Sequence, residues 1–186
     1  MEKKKFALGL SLRVTLGALS PIVVVVILGI ITYSGINSLR ESTRWVEHTH
    51  NVIAKANAML TSAIDMETGL RGFMVTGKEE FLEPYTWGDQ HFHALNVELQ
   101  NTVDDNPPQV ELLREIEATI DEWMAEVTEP FIAMRRTVGS EMTMDEIAAI
   151  VGEARGKMYF DRFRGQVAEF IEREEVLNDR SPRANC

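Results

Sequence analysis

Between Arg13 and Arg40 the chain carries no charged side chain. The stretch VTLGALSPIVVVVILGIITY within it, Val14 to Tyr33, is long enough as a helix to cross a hydrocarbon layer about 30 Å thick. The run ends in ITYSGINSL, with no A-x-A-like cleavage pattern, which favours a retained anchor over a removed signal peptide. Lys3, Lys4, Lys5 and Arg13 crowd the N-terminal flank, whereas Arg40 and Arg44 on the other flank are interleaved with Glu41 and Glu47. The positive-inside bias then predicts a cytoplasmic basic N-terminus over 1–13 and a single transmembrane helix over 14–34. Everything after Tyr33 falls in the periplasm or exterior. The lipid bilayer of the cytoplasmic membrane is thus the first predicted partner.

Of 19 basic and 29 acidic residues, four basic and one acidic precede the apolar run, leaving 15 against 28 beyond it and a net charge of −13. A domain this acidic is repelled by phosphate backbones, so nucleic acid is not an expected partner. Cys186 is the only cysteine, which excludes an internal disulfide and a thiolate metal cluster.

Steps of three and four from Ile36 through Leu39, Thr43, Val46, His50, Ile53, Asn57, Leu60, Ile64, Glu67, Arg71 and Met74 predict a long helix with a heptad seam, continuous with the membrane helix. Gly77 is placed to stop it. A second helix is predicted from about Glu79 to Asp104, with Pro84 near its start. The sequence DDNPP forces a turn before a third helix with Val110, Leu113, Ile116, Ile120, Trp123 and Val127, which Pro130 should kink. Thr143 and Glu146 have capping-box spacing ahead of a fourth helix carrying Ile147, Phe160, Phe163, Val167, Phe170 and Leu177. No segment alternates with period two. The expected fold is therefore all-α, an up-and-down four-helix bundle over 38–180 whose first helix continues the transmembrane helix, with a short tail at 181–186.

Two segments, TRWVEHTHNVI in the first helix and DMETGLRGFMVTGKEEFLEPY across the first turn, resemble the extracellular sensory domain of the CHASE family, type three. Weaker likeness extends through EWMAEVTEPFIAMRR and GKMYFDRFRGQVAEFIEREEVLNDR. The resemblance implies a sensory input domain of a bacterial receptor, in which the first helix grows out of one membrane helix and the last leads to a second. Chemotaxis signalling domains, histidine kinases and diguanylate cyclases are the usual outputs. It marks Glu67, Thr68, Gly69, Arg71, Gly72, Gly77, Phe81, Pro84 and Tyr85 as motif residues, structural or ligand-related. After Asn178 and Asp179 the chain reads RSPRANC, with no second apolar run or output module, so the expectation is a truncated receptor or a freestanding anchored bundle.

Glu67 and Arg71, one turn apart with the acid first, are suited to an ion pair. Placed on the buried seam, they would pair with each other, or with Glu79, Glu80 or Glu83 across the turn, and fix helix register; alternatively, Arg71 would recognise an anionic ligand. His50 and Asn57 are expected as buried polar seam residues that set register or dimer alignment. Glu47 and His50 have Glu-x-x-His spacing, but a di-metal bundle needs a second copy, which is missing, so no metal or other cofactor is expected. Trp45, Trp87 and Trp123 could line a pocket, although core packing is the simpler role. No nucleophile elbow, phosphate loop or zinc-binding helix motif is present, and the chain is not expected to be an enzyme. The predicted function is a membrane-anchored, homodimeric sensory domain with a small-molecule or periplasmic protein ligand; the alternative is a ligand-independent dimerisation or adaptor bundle.

Overall fold

Gly77 takes φ of +71°, and its N–H bonds to Phe73 O at 2.7 Å, which ends the first helix where the sequence predicts. In the computed structural model residues 2–139, 143–151 and 155–180 are described, with side chains described at 19, 21–37, 39, 40, 43–139, 143–150 and 156–177. The elements in order are α1 (Glu2–Thr76), a 3-10 turn (Glu79–Leu82), α2 (Glu83–Thr102), α3 (Pro107–Trp123), a π segment (Met124–Thr128), α4 (Glu129–Arg136), α5 (Met144–Val151) and α6 (Arg155–Arg180). No strand occurs among the described residues. The fold is all-helical and bundle-like. The chain divides into two units, Met1–Val46 and Glu47–Cys186.

In the first unit, apolar side chains from Leu19 to Ile31 are exposed on every side of the helix, including Ile22, Val25 and Leu28. Among the described residues no helix is long and apolar enough to cross a membrane. The expected span over 14–34 lies partly outside the described side chains, which here begin at Leu19.

In the second unit, α1 buries Thr49, Val52, Ala56, Met59, Ala63, Met66, Leu70 and Phe73. These positions keep the three-and-four spacing, but each precedes a residue of the expected seam by one, a rotation of about 100° around the helix. The expected seam is therefore corrected: His50 and Asn57 are exposed, and Asn57 merely bonds to Ile53 O one turn back at 3.0 Å. The small side chains of Ala56 and Ala63 favour the observed face, because they let neighbouring helices approach closely. Against this face stand Phe92 and Leu99 of α2, Leu113, Ile116, Ile120 and Trp123 of α3, and Phe160, Phe163, Val167 and Phe170 of α6. Phe92 meets Phe163 edge-on at 5.9 Å, and Trp123 meets Phe160 at 5.0 Å. Leu177, expected in the core, is exposed.

Pro130 acts where the sequence places a kink. It has no N–H, and its ring would collide with the carbonyl four residues back in a regular helix. The preceding turn widens instead into the π segment, and the N–H of Glu129 reaches Met124 O, five residues back. The expected third helix is thus α3, the π segment and α4. The expected fourth comprises α5 and α6, with 152–154 between them outside the described residues. Ahead of α5 the capping box forms: Thr143 N–H donates to Glu146 Oε2 at 2.8 Å, and Glu146 N–H donates to Thr143 Oγ1 at 3.4 Å. The donated bonds hold the Glu146 carboxyl below its ordinary pKa.

Candidate functional site

The run from Glu67 to Gly72 occupies one and a half turns of α1, so its residues face different neighbours. Gly69 lies against α2: a Cβ there would meet Tyr85 N at 2.7 Å and Phe81 O at 3.0 Å, both backbone atoms that cannot yield locally. At Gly72 a Cβ would meet the Phe81 ring at 2.7 Å. Glycine at both positions lets the first turn fold back directly onto the helix. Pro84 lies in the first turn of α2, where its missing N–H costs little, and Thr68 is solvent-exposed.

The same turn is tied to the π segment and α4. Thr128 Oγ1 donates to Met124 O at 3.1 Å, so the Tyr85 hydroxyl, 2.8 Å from Thr128 Oγ1, supplies the proton of their shared bond. Burial pushes the Tyr85 phenol above its ordinary pKa. Arg135 Nε donates to Met74 O at 2.8 Å, covering a carbonyl of the last turn of α1, and its guanidinium lies over Gly77. Arg136 grips Glu79 through two bonds of 2.9 Å, which lower the Glu79 pKa and raise that of Arg136. Neither Arg135 nor Arg136 was picked out from the sequence.

On its other side the motif opens into a cleft of about 300 Å³. Leu70 and Met74 of α1, Trp123, Val127 and Phe131, and Phe160 of α6 make its apolar walls. Glu67 and Arg71 of α1 and Lys157, Asp161 and Arg164 of α6 make its charged rim. Arg71 donates to Glu67 Oε1 at 2.8 Å, so the expected ion pair forms, but the Arg71 side chain is 70% exposed and does not lie in a buried seam. Across the turn, Glu79 pairs with Arg136 and Glu80 with Lys78 instead of with Arg71. Lys157 pairs with Asp161. Arg164 stacks over the Phe160 ring at 5.4 Å. Gly156 keeps this end of the cleft open: a Cβ there would lie 3.4 Å from Val127 Cγ1 and 3.7 Å from Trp123 Nε1.

The α6 half of the rim was missed in the sequence, though the spacing of Lys157, Phe160, Asp161 and Arg164 puts all four near one face. Of the three tryptophans, Trp123 is buried and walls the cleft, while Trp45 and Trp87 are exposed, Trp87 stacking on His91 at 4.6 Å.

A second polar contact joins α2 to α3. His93 lies with Nδ1 2.9 Å from Asp89 O and Nε2 3.1 Å from Asp121 Oδ1. Burial opposes its charge, but the Asp89 carbonyl, the Asp121 hydrogen bond and the two carboxylates outweigh it and raise the pKa. Among the described residues no group of three His, Cys, Asp or Glu side chains is placed to hold a metal.

The described residues thus form a helical bundle with an open cleft to which both α1 and α6 contribute. Residues 42–181 match the CHASE3 domain, and the chain belongs to the CHASE3 family. Domains of this family are sensor domains, extracellular or periplasmic in receptors. Among solved structures the chain is similar to the sensor domain of the histidine kinase HK9 from Rhodopseudomonas palustris, at 22% identity and a TM-score of 0.58, with 69% of this chain and 96% of that one covered. That likeness concerns the fold. No curated protein matches the chain.

Proposed function

We propose that the chain is the input module of a membrane-anchored receptor, that residues 14–34 anchor it with the bundle outside the cytoplasm, and that it performs no catalysis itself. The cleft carries the reading, because α1 and α6 both contribute walls and charges to it. A ligand there touches both helices, and one that fits one arrangement of the pair better than another shifts their population. Support for the anchor comes from the uncharged run between Arg13 and Arg40 and from apolar side chains around the whole helix, a pattern suited to lipid. The basic residues before it favour a cytoplasmic N-terminus.

The face of α1 that carries His50, Ile53, Asn57, Leu60 and Ile64 is proposed to meet a second copy of the chain. It has coiled-coil spacing, lies beside the buried stripe, and would place polar groups at two seam positions where they fix register.

The test is a thermal-shift screen of the chain in lipid nanodiscs against amino acids, organic acids and other metabolites. A receptor gives at least one compound that raises the midpoint. Silence throughout, with no heat of binding by calorimetry, favours the ligand-independent adaptor bundle. Labelling of Cys186 on intact cells by a membrane-impermeant maleimide checks sidedness; labelling only after lysis rules out the proposed orientation.

A further inference from the structure

Resting on that receptor reading, we infer that the cleft takes a small organic monoanion with a flat apolar body, its carboxylate on Arg164 and its body against the apolar wall that Trp123, Phe131 and Phe160 line. At about 30 Å³ per water-sized unit, the cleft holds about ten non-hydrogen atoms, the size of one ring with a short acidic arm. The walls are aliphatic and aromatic, which suits an apolar face and offers few partners for a ligand covered in hydroxyls.

The charge of the ligand follows from the rim. Glu67 already holds Arg71, and Asp161 already holds Lys157. Arg164 has no carboxylate partner among the described residues, and its guanidinium lies over the Phe160 ring at 5.4 Å. A guanidinium presents paired N–H donors that match one carboxylate. The rim therefore has one uncompensated positive charge within a region whose balance beyond the apolar run is −13. Such a field accepts one negative charge at Arg164 and repels polyanions.

Calorimetry on the full chain in nanodiscs tests this with phenylacetate, its neutral analogue phenylacetamide, and acetate, with empty nanodiscs as the blank. Phenylacetate should bind saturably at one per chain, phenylacetamide about tenfold or more weakly, and acetate without measurable heat. Arg164→Gln should weaken phenylacetate about tenfold and leave phenylacetamide unchanged. Gly156→Val should remove binding of both aromatic ligands while circular dichroism keeps the wild-type helix signal. Equal affinity for acid and amide overturns the anionic class, and unaltered binding in Gly156→Val overturns the location. Should the metabolite screen respond to a cation or a sugar while phenylacetate gives nothing, the ligand class fails and the receptor reading stands. Silence from every compound defeats both.

Discussion

Gly69 and Gly72 on one side of α1, and Glu67 and Arg71 on the other, come from a single run of six residues and meet different surroundings. The glycine side is closed: Phe81 and Tyr85 approach so nearly that even a methyl group would strike the backbone of the next helix. The charged side is open, with a solvent-reaching ion pair at the lip of a cleft. A motif that looks uniform along the chain thus has two tasks. One side specifies how the first turn folds, and the other has the freedom that recognition of a ligand needs.

The difference is most directly broken at Gly69. Helix propensity alone would make Gly69→Ala more stable by about 1 kcal/mol. Collision with Tyr85 N and Phe81 O should instead reduce unfolding free energy by about 1–3 kcal/mol in urea titrations. A stabilised variant would show that the closed side is not closed.

His93 provides an intermediate case, a partly exposed contact between α2 and α3. Its pKa is raised in the folded chain, so its stabilising contribution is fully present below the unfolded value of about 6.5 and is lost as pH rises through the folded value. Compared with His93→Gln in thermal melts, wild type should gain less than about 1 kcal/mol at low pH, since exposure screens the contact. The gap should narrow with rising pH; a gap that widens would reverse the assigned sign.

The smallest effect belongs to the open side. Arg71→Ala should alter stability of the ligand-free chain by no more than about 0.5 kcal/mol, because an exposed pair of this spacing contributes little. Urea titration of Arg71→Ala beside Gly69→Ala gives the contrast in one experiment, and similar losses in both would erase the distinction between the two sides.

Much of the helical order was legible because glycine and proline act locally. Gly77 ends α1, Pro84 lies in the first turn of α2, the DDNPP turn precedes α3, and Thr143 with Glu146 caps α5 through atoms only three residues apart. The consequence of Pro130 was legible only as a disturbance; the π segment before it, and the bond that ties Thr128 within that segment to the Tyr85 hydroxyl of α2, appear only in the folded chain. The cleft was half legible. Glu67 and Arg71 stood out through the motif, whereas Lys157, Asp161 and Arg164 gain meaning only once α6 lies opposite α1.

The sequence by itself determined that the chain is helical, where its helices turn, and which family it resembles, since propensity, capping and spacing are properties of near neighbours. Tertiary structure decided which of two adjacent stripes on α1 faces inward. Both have heptad spacing one residue apart, so periodicity cannot choose between them. The choice falls to Ala56, Ala63 and the glycines, whose small size matters only when another helix is pressed against them.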